Sequence, residues 1–90
     1  MPTTPILITY FTAPWCAPCR QLAPRVRTIA EAVGATVRMV DIDTDPRAAA
    51  RADVRSVPTV VVTRGDDAMT FTGASATPAT IRSYVTGLID

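Results

Sequence analysis

A run of β-branched and bulky residues, Ile6 to Phe11, gives way after a short turn to apolar side chains at helical spacing, and that succession restricts the folds open to the chain. The turn is Thr12-Ala13-Pro14-Trp15, and the helical stripe is Leu22, Val26, Ile29, Ala30 and Val33. Arg20, Arg27 and Glu31 fall mostly off the stripe, as a half-buried helix requires. A second strand pattern, Val37 to Ile42, follows. Strand, helix and strand in that order demand a parallel crossover. Alternation along Ile6 to Phe11 is weak, so this strand is expected to be buried on both faces.

The punctuation between elements is readable. Pro24 lies inside the first helix, where its ring clashes with the carbonyl of Arg20, and a kink is expected there. Gly34 stands where a left-handed helix cap is wanted. Asp45-Pro46 supplies an N-cap and then a proline at the first helical position, opening a short alanine-rich helix to about Ala52. Thr59 to Thr63 is the clearest strand, and Arg64-Gly65-Asp66-Asp67 reads as a hairpin turn into a strand from Met69 to Thr72 that Gly73 ends. Thr77-Pro78 starts the last helix, whose stripe is Ile81, Tyr84, Val85 and Leu88. The element order is therefore βαβαββα: an α/β fold with a mixed four-stranded sheet and helices on both faces. With 90 residues and no linker, repeat or low-complexity stretch, the chain reads as one domain over residues 1–90.

Charge excludes some functions. A formal net charge of +1, with 19% charged residues, gives no electrostatic footprint for nucleic acid or a membrane surface. The residues from Met1 to Pro5 carry no positive side chain, and Ile6-Leu7-Ile8 is too short for a signal-peptide core or a membrane span. A cytoplasmic protein is expected, and in a reducing compartment two cysteines are not expected to form a permanent staple.

Those two cysteines carry the chemistry. Trp15-Cys16-Ala17-Pro18-Cys19 lies between the first strand and the first helix. A helix start offers unpaired N–H groups and the positive end of the dipole, so the Cys16 thiol should lose its proton more readily there. Cys19 follows at nearly one helical turn, close enough to close a short disulfide. Thiolate Cys16 would attack a substrate disulfide, and Cys19 would resolve the mixed disulfide. Pro18 rigidifies the first turn. The alternatives are a pair of core cysteines or half of a zinc site. With no other cysteine and no histidine, one chain cannot supply four soft ligands, which leaves a metal or iron–sulfur site bridged by two copies as the rival.

The run Ala13-Pro14-Trp15-Cys16-Ala17-Pro18-Cys19-Arg20 resembles the active-site segment of the thioredoxin family, with Ala17 where glycine is common. Pro24 falls where that family kinks its active-site helix. Val54-Arg55-Ser56-Val57-Pro58-Thr59 resembles the family's cis-proline loop, and Gly73 matches the glycine after its last strand. The resemblance covers about Ile6 to Ile89. It implies a thioredoxin-like fold with Cys16 as nucleophile and Cys19 as resolving residue. It implies that Pro58 is cis and faces the dithiol; a trans proline opening a strand is the alternative. Trp15, Val57, Pro58, Gly73 and Ala74 would form an apolar docking surface around Cys16, with Ala17, Pro18 and Tyr10 as support. The backbone beside Pro58 would pair with a client peptide like an added strand.

The chain departs from the family pattern in three ways. The usual additional N-terminal strand and helix are missing, so it resembles a trimmed, small thioredoxin. The family's buried carboxylate falls on Tyr10, and its lysine partner falls on Met39. A phenol with a pKa near ~10 is a poor base, so Tyr10 is expected to bond or pack, with water taking the Cys19 proton. Asp41 and Asp43 are alternative bases but read as surface acids.

The resemblance therefore implies a protein-disulfide reductase that needs no bound cofactor or metal beyond its redox-active Cys16–Cys19 disulfide. Its electrons would come from an NADPH-dependent flavoprotein thioredoxin reductase, and ribonucleotide reductase is an example of a client. A monomer is expected. The alternatives are a glutaredoxin-like protein using glutathione and a redox-gated binding module.

Overall fold

The computed structural model describes residues 4–89; residues 1–3 and 90, which the single-domain reading over residues 1–90 includes and on which the reading of Met1 depends, lie outside it. The elements are β1 (Leu7–Thr12), α1 (Ala17–Val33), β2 (Thr36–Asp41), α2 (Pro46–Arg51), β3 (Thr59–Arg64), β4 (Asp67–Thr72), a 3-10 turn (Gly73–Ser75) and α3 (Pro78–Ile89). The sheet order is β2-β1-β3-β4. β1 and β2 run parallel, joined by α1 as the crossover, and β3 runs antiparallel to both β1 and β4. The expected order of elements and the mixed four-stranded sheet are those observed.

Register divides the strand residues between two faces. Ile8 and Tyr10 of β1, Val60 and Val62 of β3, and Phe71 of β4 share one core with Leu22, Val26, Ile29 and Ala30 of α1 and Ile81 and Val85 of α3. On the opposite face, Phe11 and Val40 pack against Ala48 and Ala49 of α2. The larger core forms because the apolar stripe of α1 recurs at the helical period, so a single helix face covers the middle of the sheet. Phe71 and Tyr84 meet edge-on with ring centroids 5.8 Å apart, which ties β4 to α3.

Several expectations are corrected. β1 is not buried on both faces: Ile8 and Tyr10 are fully enclosed, whereas Leu7 and Thr9 are half-buried. The six-residue α2 is too short to cover the whole second face, so of the β1 residues on that side only Phe11 is sealed. The hairpin turn is tighter than four residues. Arg64 pairs with Asp67, leaving only Gly65 and Asp66 between the strands, and β4 accordingly begins two residues earlier than expected. Gly65, with φ +59°, supplies the positive dihedral that a two-residue turn of this kind needs. Gly73 does not simply end β4 but opens the 3-10 turn, also with φ in the left-handed region.

The helix ends follow their sequence signals. Gly34 adopts φ +72° and its N–H reaches back to the last turn of α1, and the Asp45 side chain accepts the Ala48 N–H at 3.2 Å. Helix α1 runs without interruption through Pro24, which can offer no N–H to the Arg20 carbonyl. Ile81, fully buried where α3 meets the sheet, should be costly to truncate. Ile81→Ala is expected to lower unfolding stability by about 2–5 kcal/mol in urea titration, because the surrounding side chains close only partly over the gap.

Candidate functional site

The register places three chain segments at one end of the sheet. Phe11 pairs with Thr59, and Thr59 pairs with Thr72. The residues just beyond this row are therefore Thr12, Pro58 and Gly73. From the first of these the chain turns through Ala13, Pro14 and Trp15 into Cys16. The loop before α1, the loop before β3 and the turn after β4 thus converge because the strands are in register, although they are far apart in sequence.

Cys16 and Cys19 are joined as a disulfide, with their Cα atoms 5.2 Å apart. Cys16 is the N-cap of α1. Its backbone is extended (φ −96°, ψ 101°), and its Sγ accepts the Cys19 N–H at 3.2 Å. An N-cap side chain ordinarily satisfies one of the free N–H groups of the first turn, and here a sulfur does so. Ala17 and Pro18 fill the first two helical positions, where a missing N–H on proline costs nothing. Cys16 is 5% exposed and Cys19 is 0% exposed, so Cys16 is the outer of the two.

Tyr10 lies under this turn. It is fully buried, and its hydroxyl donates to the Cys19 carbonyl at 2.6 Å. Burial pushes its phenol up from the ordinary 10.0 to about 12, so it stays protonated and keeps donating. Met39 faces it across the parallel pair β1–β2 and packs against the main core. The two positions where the resemblance places a carboxylate and a lysine are thus neighbours, and both hold uncharged side chains.

The expected docking residues lie on the three segments that meet at this end of the sheet. Trp15 is 66% exposed, and its indole N–H donates to the Asp43 carboxylate, with 3.1 Å to the nearer oxygen. The Val57–Pro58 peptide bond is cis, both residues are half-buried, and Val57 packs against the core that holds Cys16. Gly73 (φ +58°) and Ala74 are exposed.

Sequence reasoning missed three supports. The Arg20 guanidinium donates to the Pro14 carbonyl, bracing the turn that leads into Cys16. Asp43 positions Trp15 and is itself braced by the Asp41 carboxylate, which accepts the Asp43 N–H at 2.8 Å. Thr59 is the buried polar residue of the core; it donates to the Ser56 carbonyl at 2.7 Å and contacts the Thr72 hydroxyl at 3.1 Å. That bond closes the loop around Val57 and Pro58. Only Asp43 left a trace, as one of two closely spaced acids, Asp41 and Asp43, at the end of β2.

Among the described residues, no group of three or more histidine, cysteine or acidic side chains is placed to hold a metal, and no helix is long and apolar enough to cross a membrane.

Comparison with known proteins agrees with this geometry. The thioredoxin family profile matches residues 2–86. The thioredoxin of Porphyra purpurea is 37% identical over 87 residues, spanning 90% of this chain and 80% of that protein. The thioredoxin of Streptomyces clavuligerus is 38% identical over 80 residues, spanning 87% and 74%. Among solved structures, an N21Q mutant thioredoxin from Halobacterium salinarum NRC-1 superposes with a TM-score of 0.85 at 27% identity, covering 97% of this chain and 77% of that one. Fasciola hepatica thioredoxin gives a TM-score of 0.82 at 30% identity, covering 94% and 82%.

Tyr10→Phe removes one hydroxyl and should lower stability by about 0.5–1.5 kcal/mol at neutral pH. The sign of its pH dependence follows from the raised pKa. Above pH 10 the unfolded chain releases the phenol proton before the folded chain does, so stability falls as pH rises from 10.0 to about 12. Urea midpoints of the oxidised protein, taken upward from neutral pH, should show that fall, and Tyr10→Phe should lack this portion of it.

Proposed function

This chain belongs to the thioredoxin family and is a thiol–disulfide oxidoreductase, and we propose that it works as a reductase of protein disulfides recharged by an NADPH-dependent thioredoxin reductase. The observation that carries this reading is the Cys16–Cys19 pair at the N-terminus of α1, with Cys16 as cap and outer sulfur.

The reaction follows from that arrangement. In the reduced protein the Cys19 N–H and the dipole of α1 favour negative charge on the Cys16 sulfur. The Cys16 thiolate attacks one sulfur of a client disulfide. A bond forms between Cys16 and that sulfur, the client S–S bond breaks, and the other client sulfur leaves as a thiolate. Cys19 then gives its proton to water and attacks the Cys16 sulfur. The mixed disulfide breaks, the second client thiolate leaves, and the Cys16–Cys19 disulfide forms. Two electrons have passed from the protein to the client. The neutral Tyr10 takes no proton in this scheme; its hydroxyl is committed to the Cys19 carbonyl. The sulfurs carry all of the redox chemistry, and no bound cofactor is needed.

Trp15, Val57, Pro58, Gly73 and Ala74 form the surface against which the client lies. The backbone before β3 at Val57 offers a segment that an extended client strand can join by main-chain hydrogen bonds. A cytoplasmic site of action fits a dithiol that is used in the reduced state, and ribonucleotide reductase is a client of the expected kind.

The direct test is NADPH-coupled reduction of a disulfide protein, with thioredoxin reductase in one arm and glutathione plus glutathione reductase in the other. Turnover with the flavoprotein reductase is expected. Turnover only with glutathione would reassign the protein as glutaredoxin-like, and silence in both arms would favour a binding module. Cys16→Ser should reduce turnover to the level of buffer, and Cys19→Ser should accumulate a mixed disulfide with the client through Cys16, visible by mass on non-reducing gels.

A further inference from the structure

Beside the dithiol, on the side away from Asp43, an open groove of about 290 Å³ runs between the first turns of α1 and the start of α3. Pro18, Gln21, Leu22 and Arg25 form one wall, and Ala76, Thr77 and Pro78 form the other. Its floor is apolar: Leu22 and Ala76 are buried, whereas Gln21 and Arg25 are exposed at the rim. The groove adjoins the redox centre, because Pro18 lies between the two cysteines in sequence and Ala76 follows the turn that carries Gly73 and Ala74.

The charge around the groove is of one sign. No acidic residue lines it. Among the described residues Arg25 makes no ion pair, the observed pair being Arg55 with Asp53. The N-terminus of α3 opens on the same space at Pro78, adding the positive end of a 12-residue helix. Asp43, bonded to Trp15, follows β2 at the opposite edge of the sheet from β4, which the groove residues Ala76 and Pro78 follow. The mouth of the site is therefore polarised, with arginine on one flank and carboxylate on the other.

We propose that this groove takes the client segment flanking the attacked cysteine, and that it selects an apolar side chain followed by an acidic one. This rests on the reductase reading above. The apolar side chain covers Leu22 and Ala76, and the carboxylate meets the Arg25 guanidinium. The preference is one of client choice and rate of encounter, since charges at the rim of an interface act mainly on steering and specificity.

The test uses pre-reduced protein in single turnover against disulfide-linked model peptides, read through the fluorescence of Trp15, the sole tryptophan. Each peptide carries leucine and then glutamate beside its cysteine, on the N-terminal or the C-terminal flank, and each has a counterpart with lysine in place of glutamate. The ratio of the glutamate to the lysine rate is the readout, so a general change in reactivity cancels. At low salt one flank is expected to give a ratio of about three- to fivefold, shrinking at high salt as exposed charges are screened. Arg25→Gln should bring that ratio close to one, and Arg25→Glu should invert it. Reduction of all peptides at equal rates, or a ratio that survives Arg25→Glu, overturns the groove assignment and leaves the reductase reading standing. Failure to reduce any of the peptides overturns both.

Discussion

The Cys19 carbonyl is held at 2.6 Å by the hydroxyl of Tyr10, a fully buried residue of an interior strand. That bond joins the first turn of α1 to β1, and the position of the dithiol depends on it. β1 is paired on both sides, with β2 in parallel and β3 antiparallel, so it is anchored in the interior of the sheet. A donor on β1 that grips the turn carrying Cys19 fixes the inner sulfur relative to the sheet. Cys16 then caps the same turn from outside through the Cys19 N–H. The backbone of Cys19 is thus bonded twice around the reacting pair, by its carbonyl to the sheet and by its N–H to the outer sulfur.

The interior beneath the dithiol is uncharged. Tyr10 and Met39 stand opposite each other in the parallel pair. A buried ion pair that loses one member costs about 3–5 kcal/mol, whereas exchanging both for apolar or hydrogen-bonded groups can be neutral. A phenol suits this position because its ring packs with the core while its hydroxyl reaches a carbonyl that would otherwise have only its helical donor. Such a site gives up an internal proton acceptor. In the proposed reaction, proton release from Cys19 therefore runs to solvent.

Much of the fold was legible because the chain marks its elements with strong local signals. The stripe from Leu22 to Val33, the Asp45-Pro46 start and the left-handed Gly34 each describe a constraint that acts within a few residues. The dithiol was legible for the same reason, since Cys16 and Cys19 lie within one helical turn. What was not legible depends on distance in sequence. The indole bond of Trp15 to Asp43 spans two loops, and the Thr59 contact with Thr72 depends on the β3–β4 register. The half-buried outer face of Leu7 and Thr9 follows from the shortness of α2, which no property of β1 itself discloses. A run of bulky residues cannot say how much of the sheet its neighbours cover.

The proposed reaction depends on the order in which the two sulfurs act. That order is read most directly by treating the fully reduced protein with limiting iodoacetamide at neutral pH and locating the label by peptide mass mapping. Label on Cys16, with Cys19 left unmodified, is the result that an outer capping sulfur over a buried one predicts. Label on Cys19, or an even division between the two, would contradict it.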